Sequence, residues 1–185
     1  MKIILASKSP RRQELLRQMD VDFRVVLKEV DESYPDGLTP EEVAVYIAEK
    51  KAKAFDEDIT DEVVLTADTI VCIDDKILGK PENEDHAVEM LRLLSGRVHR
   101  VVTGVCLLHN HQYNKFFDVS EVFFRKLTDA EIVNYVHKYR PLDKAGSYGI
   151  QEWIGVTAIE KINGSYTNVV GLPTEKVYQQ LLKLA

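Results

Sequence analysis

The sequence predicts a mixed α/β fold, in which helices cover the faces of a β-sheet. Stretches with helical periodicity alternate with short β-branched runs along the chain, which is typical of α/β proteins. Turn signals such as Asp74-Asp75 and Asn163-Gly164 also predict hairpins, and hairpins exclude a purely parallel sheet. The length of 185 residues, 45% of them hydrophobic, predicts one domain over residues 1–185.

The first third of the chain predicts two strands and two capped helices. Ser9 can cap a helix that has Pro10 at its first position, where the missing N–H costs little. Thr39 and Glu42 form a capping-box signature, and the acidic stretch before them predicts a loop that ends near Gly37. In chain order we expect a strand at 3–6, a helix at 10–19, a strand at 23–27 and a helix at 39–55.

The rest of the chain alternates strands and helices, and the cues are local. Gly96 can end one helix in a left-handed cap, and Thr128 with Glu131 can begin another. Asn163-Gly164 predicts a tight hairpin turn. We expect strands at 63–73, 77–78, 101–108, 116–124, 156–162 and 166–170, with helices at 85–94, 128–139 and 173–184 and a polar turn at 109–114.

Charge and cysteine content narrow the function. A net charge of −6 disfavours a broad binding surface for nucleic acid or an anionic membrane, so any phosphate binding must be local. No run of about 18 apolar residues is present, which predicts no membrane span. Cys72 and Cys106 lie in apolar runs and behave as buried free thiols, which indicates a reducing compartment and predicts a cytoplasmic protein.

Arg11 and Arg12 occupy the opening turn of a predicted helix, where the helix dipole disfavours cations. An anionic ligand reverses this disadvantage, because free backbone N–H groups, guanidinium groups and the Ser7 and Ser9 hydroxyls all suit phosphate oxygens. The alternative is a solvated basic helix end. The segment is therefore a candidate phosphate site.

Lys51 and Asp68 are charged residues in apolar settings. At about 100° per residue, Lys51 falls within the apolar stripe of its helix, whereas Lys50 and Lys53 fall outside it. Asp68 lies in the middle of the longest β-branched run. A charge in such a place requires a partner charge, a metal or a ligand. The alternative for Lys51 is a side chain that extends past the sheet edge to water, and the alternative for Asp68 is a structural pair with a buried Lys or Arg.

Lys80 and Glu32 are weaker candidates. Lys80 follows the predicted 74–78 hairpin, and lysines in turns are usually solvated. Glu32 lies in the acidic loop, and it matters because magnesium on a triphosphate needs only one or two carboxylates.

Taken together, these segments resemble the Maf family of nucleotide pyrophosphatases, and the likeness covers nearly the whole chain in order. The resemblance implies a mixed α/β fold like that of the inosine triphosphate pyrophosphatases, two lobes around a cleft, a divalent metal cation (Mg or Mn) and frequent homodimers. The matching segments are Leu5-Ala6-Ser7-x-Ser9-Pro10-Arg11-Arg12, Val30-Asp31-Glu32, Ala48-x-x-Lys51-Ala52, Ala67-Asp68-Thr69-Ile70-Val71, Gly79-Lys80-Pro81, Leu94-Ser95-Gly96-Arg97, Asp143-Lys144-Ala145-Gly146, Tyr148-Gly149-Ile150-Gln151, Ile162-Asn163-Gly164-Ser165-Tyr166 and Gly171-Leu172-Pro173.

The resemblance also implies roles for individual residues. Asp68 matches the proposed general base, and Glu32 matches an acidic residue that helps to hold the metal. Glu152 and Trp153 follow Gln151 at positions where the family commonly has small residues. The Trp153 ring either stacks on a base or covers a core. The phosphate-site matches are Ser7, Arg12, Lys51 and Lys80, and the base-selection matches of the dTTP/UTP branch are Arg11, Thr69 and Gln151.

The reaction that the resemblance implies is metal-assisted attack of water on the α-phosphorus of a nucleoside triphosphate, with release of pyrophosphate. Asp68 would take the proton, while the cationic residues and the helix N-terminus would bind the phosphates. Three alternatives stay open: a nucleotide-binding regulator of growth or division without turnover, a 7-methyl-GTP pyrophosphatase and, less favoured, a single-stranded nucleic-acid binder.

Overall fold

A computed structural model describes residues 2–184 of the chain, and within them helices are interspersed among strands. The strands are β1 (Lys2–Leu5), β2 (Phe23–Val25), β3 (Glu62–Ile73), β4 (Lys76–Leu78), β5 (Val98–His109), β6 (Gln112–Phe124) and β7 (Ile159–Asn163). The helices are α1 (Pro10–Gln18), α2 (Pro40–Lys53), α3 (Glu84–Leu94), α4 (Asp129–Tyr139), α5 (Trp153–Ala158), α6 (Tyr166–Val170) and α7 (Thr174–Leu182).

The seven strands within residues 2–184 form one sheet in the order β2-β1-β3-β5-β6-β7, with β4 paired to β3. β1 runs parallel to both β2 and β3, whereas β4 is antiparallel to β3 and β7 is antiparallel to β6. The sheet is therefore mixed, and the predicted fold class is confirmed. None of the helices in this range is both long and apolar enough to cross a membrane.

The chain divides into two compact units. The first unit contains the residues up to Thr69, the segment Thr103–Asp118 and the residues from Gly171 onward. The second contains Ile70–Val102 and Val119–Val170. Each unit buries its own apolar cluster.

In the first unit, α2 provides much of the apolar cluster. Its buried face supplies Ala48 and Ala52, which pack with Phe55 and with Val64 of β3. Both halves of the predicted Thr39–Glu42 capping box are present at the start of α2. The sequence pattern therefore fixes both the start of this helix and the face that it buries.

In the second unit, a larger cluster collects side chains from α3, α4 and the adjoining strands. Its members include Leu91, Val122, Ile132 and Tyr148. Trp153 is half-buried, and its ring stacks on that of Tyr135 with 6.4 Å between the centroids. The core-covering alternative for Trp153 therefore agrees with the structure.

The predicted hairpin around Asn163-Gly164 is wrong. The segment before β7 is the helix α5, and Tyr166–Val170 forms α6, which begins where the Ser165 hydroxyl accepts a hydrogen bond from the Asn168 amide. Gly164 adopts a φ of +126°, and a Cβ there would lie 2.7 Å from Oγ of Ser120. The glycine permits close approach to β6, and the cap at Ser165 overrides the β-branched composition of the next residues.

The predicted turn between β5 and β6 is too long. Only Asn110 and His111 form it, and both have positive φ angles, 49° and 59°. Two successive residues of this kind are typical of a two-residue type I′ hairpin. Residues 109 and 112–114 are polar but belong to the strands, so composition alone does not indicate where the strands end.

Candidate active site

Lys51 joins the two carboxylates that the sequence indicates. Its Nζ lies 2.8 Å from Oδ1 of Asp68 and 2.9 Å from Oε1 of Glu32. The Lys51 and Asp68 side chains are 17% and 15% exposed, whereas Glu32 is 53% exposed. The neighbouring Lys50 instead binds Asp31 in the loop. The prediction that Lys51, rather than Lys50, points inward is confirmed.

Asp68 and Thr69 interrupt an otherwise buried strand. β3 is buried from Val63 to Ile73 except at these two positions. β1 pairs in parallel with β3 only as far as Leu5 opposite Leu65, so the opening lies beyond the carboxyl end of β1. Ligands of open α/β sheets bind at such strand ends. The register therefore explains why the carboxylate can meet a ligand while it remains on a rigid strand.

The Arg12 guanidinium is fixed by three acceptors. Its Nε donates to the Gly171 carbonyl at 2.8 Å, its Nη1 to Ser7 Oγ at 3.2 Å and its Nη2 to Thr69 Oγ1 at 3.0 Å. A guanidinium carries five N–H donors, so one N–H remains on each terminal nitrogen beyond these contacts. Arg12 is half-buried, and its position next to Asp68-Thr69 is set by hydrogen bonds.

The start of α1 has the features of an anion site. Ser9 caps the helix by accepting from the Arg12 amide, Pro10 holds the first position, and the first turn contains no acidic residue. Ser7 Oγ accepts hydrogen bonds from the Ser9 amide and from Arg12. A hydroxyl that accepts twice still has its own proton to donate. The sequence prediction of a cationic first turn is confirmed, and Arg11 and Arg12 both lie in it.

Burial lowers the pKa of Arg12, because desolvation penalises the charged guanidinium. The charge of Asp68 opposes that effect, Arg11 adds to it, and Glu32 opposes it more weakly. The guanidinium remains charged at any ordinary pH. The carboxylates therefore offset part of the cost of holding Arg12 away from water, and a phosphate group would offset more.

A divalent metal fits the donor chemistry of this cluster. Oxygens of Asp68 and Glu32 converge on one cationic atom, Lys51 Nζ, and carboxylate oxygens are the ligands that magnesium prefers. Within residues 2–184 no group of three or more His, Cys, Asp or Glu side chains forms a dedicated metal cage. A metal held partly by substrate phosphates needs only one or two carboxylates.

Lys80 and Gln151 belong to the second unit, and both are exposed. Lys80 follows β4, and the carbonyl of its neighbour Gly79 accepts a hydrogen bond from the Gly146 amide at 3.1 Å. Gln151 lies just before α5. Their roles toward a substrate stay predictions.

Sequence reasoning missed two residues that contact the Arg12 and Thr69 side chains. Thr103 Oγ1 lies 2.9 Å from Thr69 Oγ1, and the Gly171 carbonyl accepts the shortest of the three hydrogen bonds that the Arg12 guanidinium donates. Thr103 follows two buried valines of β5 and gives no sequence signal. Gly171 had one, since a glycine ahead of Leu172-Pro173 indicates a special backbone conformation.

The mixed sheet and this cluster define an α/β protein with a site suited to phosphate groups, in which carboxylates lie beside cationic donors at a strand end. The comparison with known families makes the assignment more specific. The Maf family, described as Maf-like protein, matches residues 2–184, and the chain belongs to this family.

Relatives from several bacteria are similar over nearly their whole length. A protein of Parabacteroides distasonis named dTTP/UTP pyrophosphatase is 51% identical over 182 residues, which cover 97% of this chain and 94% of the relative. A protein of Phocaeicola vulgatus with the same name is 51% identical over 185 residues, covering 99% and 96%. One from Flavobacterium johnsoniae, also with that name, is 47% identical and covers 99% and 95%.

Among solved structures, a HAM1 protein from Coxiella burnetii is similar with a TM-score of 0.53. The match covers 99% of each chain at 18% sequence identity. At this identity the likeness establishes the fold alone, and it agrees with the expected architecture.

Proposed function

We propose that this protein hydrolyses nucleoside triphosphates, with dTTP and UTP preferred, to nucleoside monophosphate and pyrophosphate. The observation that carries the proposal is the cluster in which Lys51 binds Asp68 and Glu32 while Arg12 binds Thr69, the residue next to Asp68. A triphosphate brings about four negative charges, so its site needs cations as well as a group that accepts a proton. The names of the relatives support the same reaction.

The phosphate chain would be bound at the start of α1. The two remaining N–H groups of Arg12 and the Ser7 hydroxyl can donate to phosphate oxygens, and the helix dipole adds a favourable field. Lys80 is proposed as a further phosphate ligand on the strength of the family resemblance. The Arg12 and Ser7 donors are held by hydrogen bonds within the protein, so little ordering of these two side chains is required on binding.

Asp68 would act as the general base. Its Oδ1 is bound to Lys51, and within residues 2–184 no donor is hydrogen-bonded to Oδ2, which can accept a proton from water. As the water oxygen forms a bond to the α-phosphorus, the bond to the bridging oxygen of the β-phosphate breaks and pyrophosphate leaves. Asp68 then holds the proton that the water has lost.

Glu32 and Asp68 are proposed to hold a magnesium or manganese ion together with phosphate oxygens of the substrate. Such an ion neutralises phosphate charge and makes water in the site more acidic. Lys51 is proposed to orient Asp68 and to balance the two carboxylates, in addition to the phosphate-binding role that the family resemblance implies for it.

A preference for pyrimidine bases is proposed from the names of the relatives and from the family matches at Arg11, Thr69 and Gln151. We also propose that the protein acts in the cytoplasm, since Cys72 and Cys106 are both buried thiols, as reducing compartments allow. A homodimer is proposed from the family resemblance, and sedimentation analysis of the purified protein tests it.

A nucleotide panel with the purified protein tests the function. Magnesium or manganese is supplied, and pyrophosphate is resolved from orthophosphate among the products. We expect monophosphate and pyrophosphate in equal amounts, no reaction with EDTA, and faster turnover of dTTP and UTP than of ATP or 7-methyl-GTP. An Asp68→Asn preparation, purified in the same way, controls for contaminating phosphatases.

Three other outcomes of this panel would indicate other functions. Stepwise release of orthophosphate would identify a phosphatase. Faster turnover of 7-methyl-GTP than of dTTP and UTP would identify a 7-methyl-GTP pyrophosphatase. Tight nucleotide binding without turnover under every metal condition would favour the regulator.

A further inference from the structure

We propose that Tyr135, Lys144 and Glu152 are positioning residues that fix the turn at residues 149–152 and thereby orient Gln151 for recognition of the base. They would act through Gln151 and would not contact the nucleotide themselves. The inference rests on the proposed function, which assigns base selection to Gln151, and adds the residues that hold this side chain in place.

One hydroxyl group binds both ends of the turn. The Gly149 amide donates to the Tyr135 hydroxyl at 3.1 Å, and that hydroxyl donates in turn to Oε2 of Glu152. The Glu152 amide donates to the Gly149 carbonyl at 3.0 Å, which closes the turn. Gln151 lies between these two fixed residues, so its backbone has little freedom.

The Tyr135 side chain is itself held firmly. It is 1% exposed, and its ring stacks on that of Tyr139 as well as on that of Trp153. Burial raises the pKa of the Tyr135 hydroxyl, and the hydrogen bond to the Glu152 carboxylate raises it further. The hydroxyl therefore keeps its proton and donates it to Glu152.

Lys144 binds the other oxygen of the Glu152 carboxylate. Its Nζ lies 3.1 Å from Oε1 of Glu152 and 2.8 Å from Oδ1 of Asp143, and its side chain is 12% exposed. Both carboxylate oxygens of Glu152 are therefore bound. The turn packs directly on this pair, because a Cβ at Gly149 would lie 3.0 Å from Cδ of Glu152 and 3.1 Å from Cε of Lys144.

The turn leaves one of its four side chains exposed to solvent. Gly149 and Ile150 are buried and Glu152 is half-buried, whereas Gln151 is exposed. A primary amide carries both donors and an acceptor, so it distinguishes one base from another only when its orientation is fixed. The family commonly has a small residue at position 152, which could not reach both Tyr135 and Lys144. The positioning unit is therefore a feature of this chain.

A double-mutant cycle between Tyr135 and Gln151 tests the inference. Tyr135→Phe removes one hydroxyl group, and Gln151→Ala removes the proposed base reader. The value of kcat/KM with magnesium is measured for dTTP and for ATP on the wild type, both single variants and the double variant. Tyr139→Phe is the matched control, because Tyr139 lies on the same helix and stacks on Tyr135, but its hydroxyl takes no part in these contacts.

We expect Tyr135→Phe to lower the ratio of the dTTP value to the ATP value about fivefold, as for the loss of one ordinary hydrogen bond. Gln151→Ala should lower the ratio at least as far, and adding Tyr135→Phe to it should cause no further change. Tyr139→Phe should keep the wild-type ratio. The calorimetric affinity for inorganic tripolyphosphate, which has no base, should be the same in every folded variant.

Melting temperatures establish which variants are folded. A merely structural role of Tyr135 would lower the melting temperature and leave the dTTP to ATP ratio unchanged. Glu152→Gln replaces Tyr135→Phe in the cycle if the latter does not fold. Glutamine keeps the size of the side chain but has one acceptor oxygen in place of two, so it should lower the ratio in the same direction.

Three results overturn the inference. The first is a wild-type ratio in folded Tyr135→Phe, and the second is a further fall in the ratio when Tyr135→Phe is added to Gln151→Ala. The third is a wild-type ratio in Gln151→Ala, which would leave no base reader to position. If the wild type hydrolyses no nucleotide, the proposed function fails, and the same cycle on calorimetric affinities for dTTP and ATP decides the positioning role.

Discussion

Two places in the molecule, one in each unit, differ in the kind of polar group that they hold away from water. The first unit places charges there, since Lys51 and Asp68 are each less than one-fifth exposed and Arg12 is half-buried. The second unit places a neutral pair in its core, with His99 Nε2 2.7 Å from the Tyr148 hydroxyl. Both arrangements occur beside long strands, so local secondary structure does not explain the difference.

The energetic cost of the two arrangements differs. A neutral hydrogen-bonded pair contributes about 1 kcal/mol to stability, whereas buried ion pairs often stabilise less than apolar residues of the same size. The His99–Tyr148 pair in the second unit is therefore explained by its contribution to stability. Charges placed as in the first unit are better explained by a charged ligand. The comparison predicts that substitutions in the first unit change turnover and that those at the neutral pair change stability.

Asp68→Asn should produce the largest effect. The amide oxygen can still accept from Lys51, and Lys51 retains Glu32, so the protein should fold and bind triphosphate at least as tightly as the wild type. Turnover should fall by about 10²–10⁴-fold, which is typical of losing a general base. Rate, melting temperature and nucleotide affinity are measured on the same preparation.

The opposite pattern would assign Asp68 a purely structural role. In that case the variant would lose about 3–5 kcal/mol of stability, as when one partner of a buried ion pair is removed. Near wild-type turnover in a folded Asp68→Asn protein would exclude the mechanism.

Lys51→Ala compared with Lys50→Ala should give the next largest effect. Lys51→Ala removes hydrogen bonds to charged groups, which contribute about 1.5–3 kcal/mol, so its turnover should fall roughly 10–100-fold. Lys50 makes a surface ion pair with Asp31, and such pairs contribute about 0–1 kcal/mol, so Lys50→Ala should stay within about fivefold. Steady-state kinetics with dTTP measure both variants. Equal losses of turnover in the two would show that the inward position of Lys51 gives it no special role in catalysis.

The features that the sequence predicted well depend on local chemistry. The caps at Ser9, Thr39 and Thr128 are each formed by a side chain and an amide three residues apart, so a short stretch of sequence is enough to predict them. The inward direction of Lys51 follows from helical periodicity alone. These features needed no knowledge of how distant segments pack.

The features that it missed depend on contacts between distant segments. The Gly164 backbone is needed because Ser120 approaches it, and no residue near Gly164 in sequence indicates this. Arg12 was predicted to bind phosphate, but the sequence did not indicate its contact with Gly171, which is 159 positions away. The environment of Thr69 was unpredictable for the same reason, since its hydroxyl partners come from three other segments.

His99→Gln should have the smallest effect on turnover and a clear effect on stability in acid. His99 is 1% exposed and packs edge-on against Phe124 and Tyr148, and its Nδ1 has no hydrogen-bond partner within residues 2–184. Burial lowers the pKa of His99 from 6.5 to about 3. Above pH 6.5 the imidazole is neutral in both the folded and the unfolded chain, so it contributes no pH dependence there.

Between about pH 6.5 and pH 3 only the unfolded chain binds the proton of His99, so this residue makes the free energy of unfolding fall as the pH falls. The slope approaches about 1.4 kcal/mol per pH unit. Glutamine can still hydrogen-bond to Tyr148 but cannot take up a proton, so His99→Gln should lose less stability than the wild type between pH 7 and pH 5. Urea unfolding at both pH values measures the difference, and carboxylates that titrate in both proteins cancel. Equal slopes for wild type and His99→Gln would show that the buried imidazole takes up its proton in the folded protein.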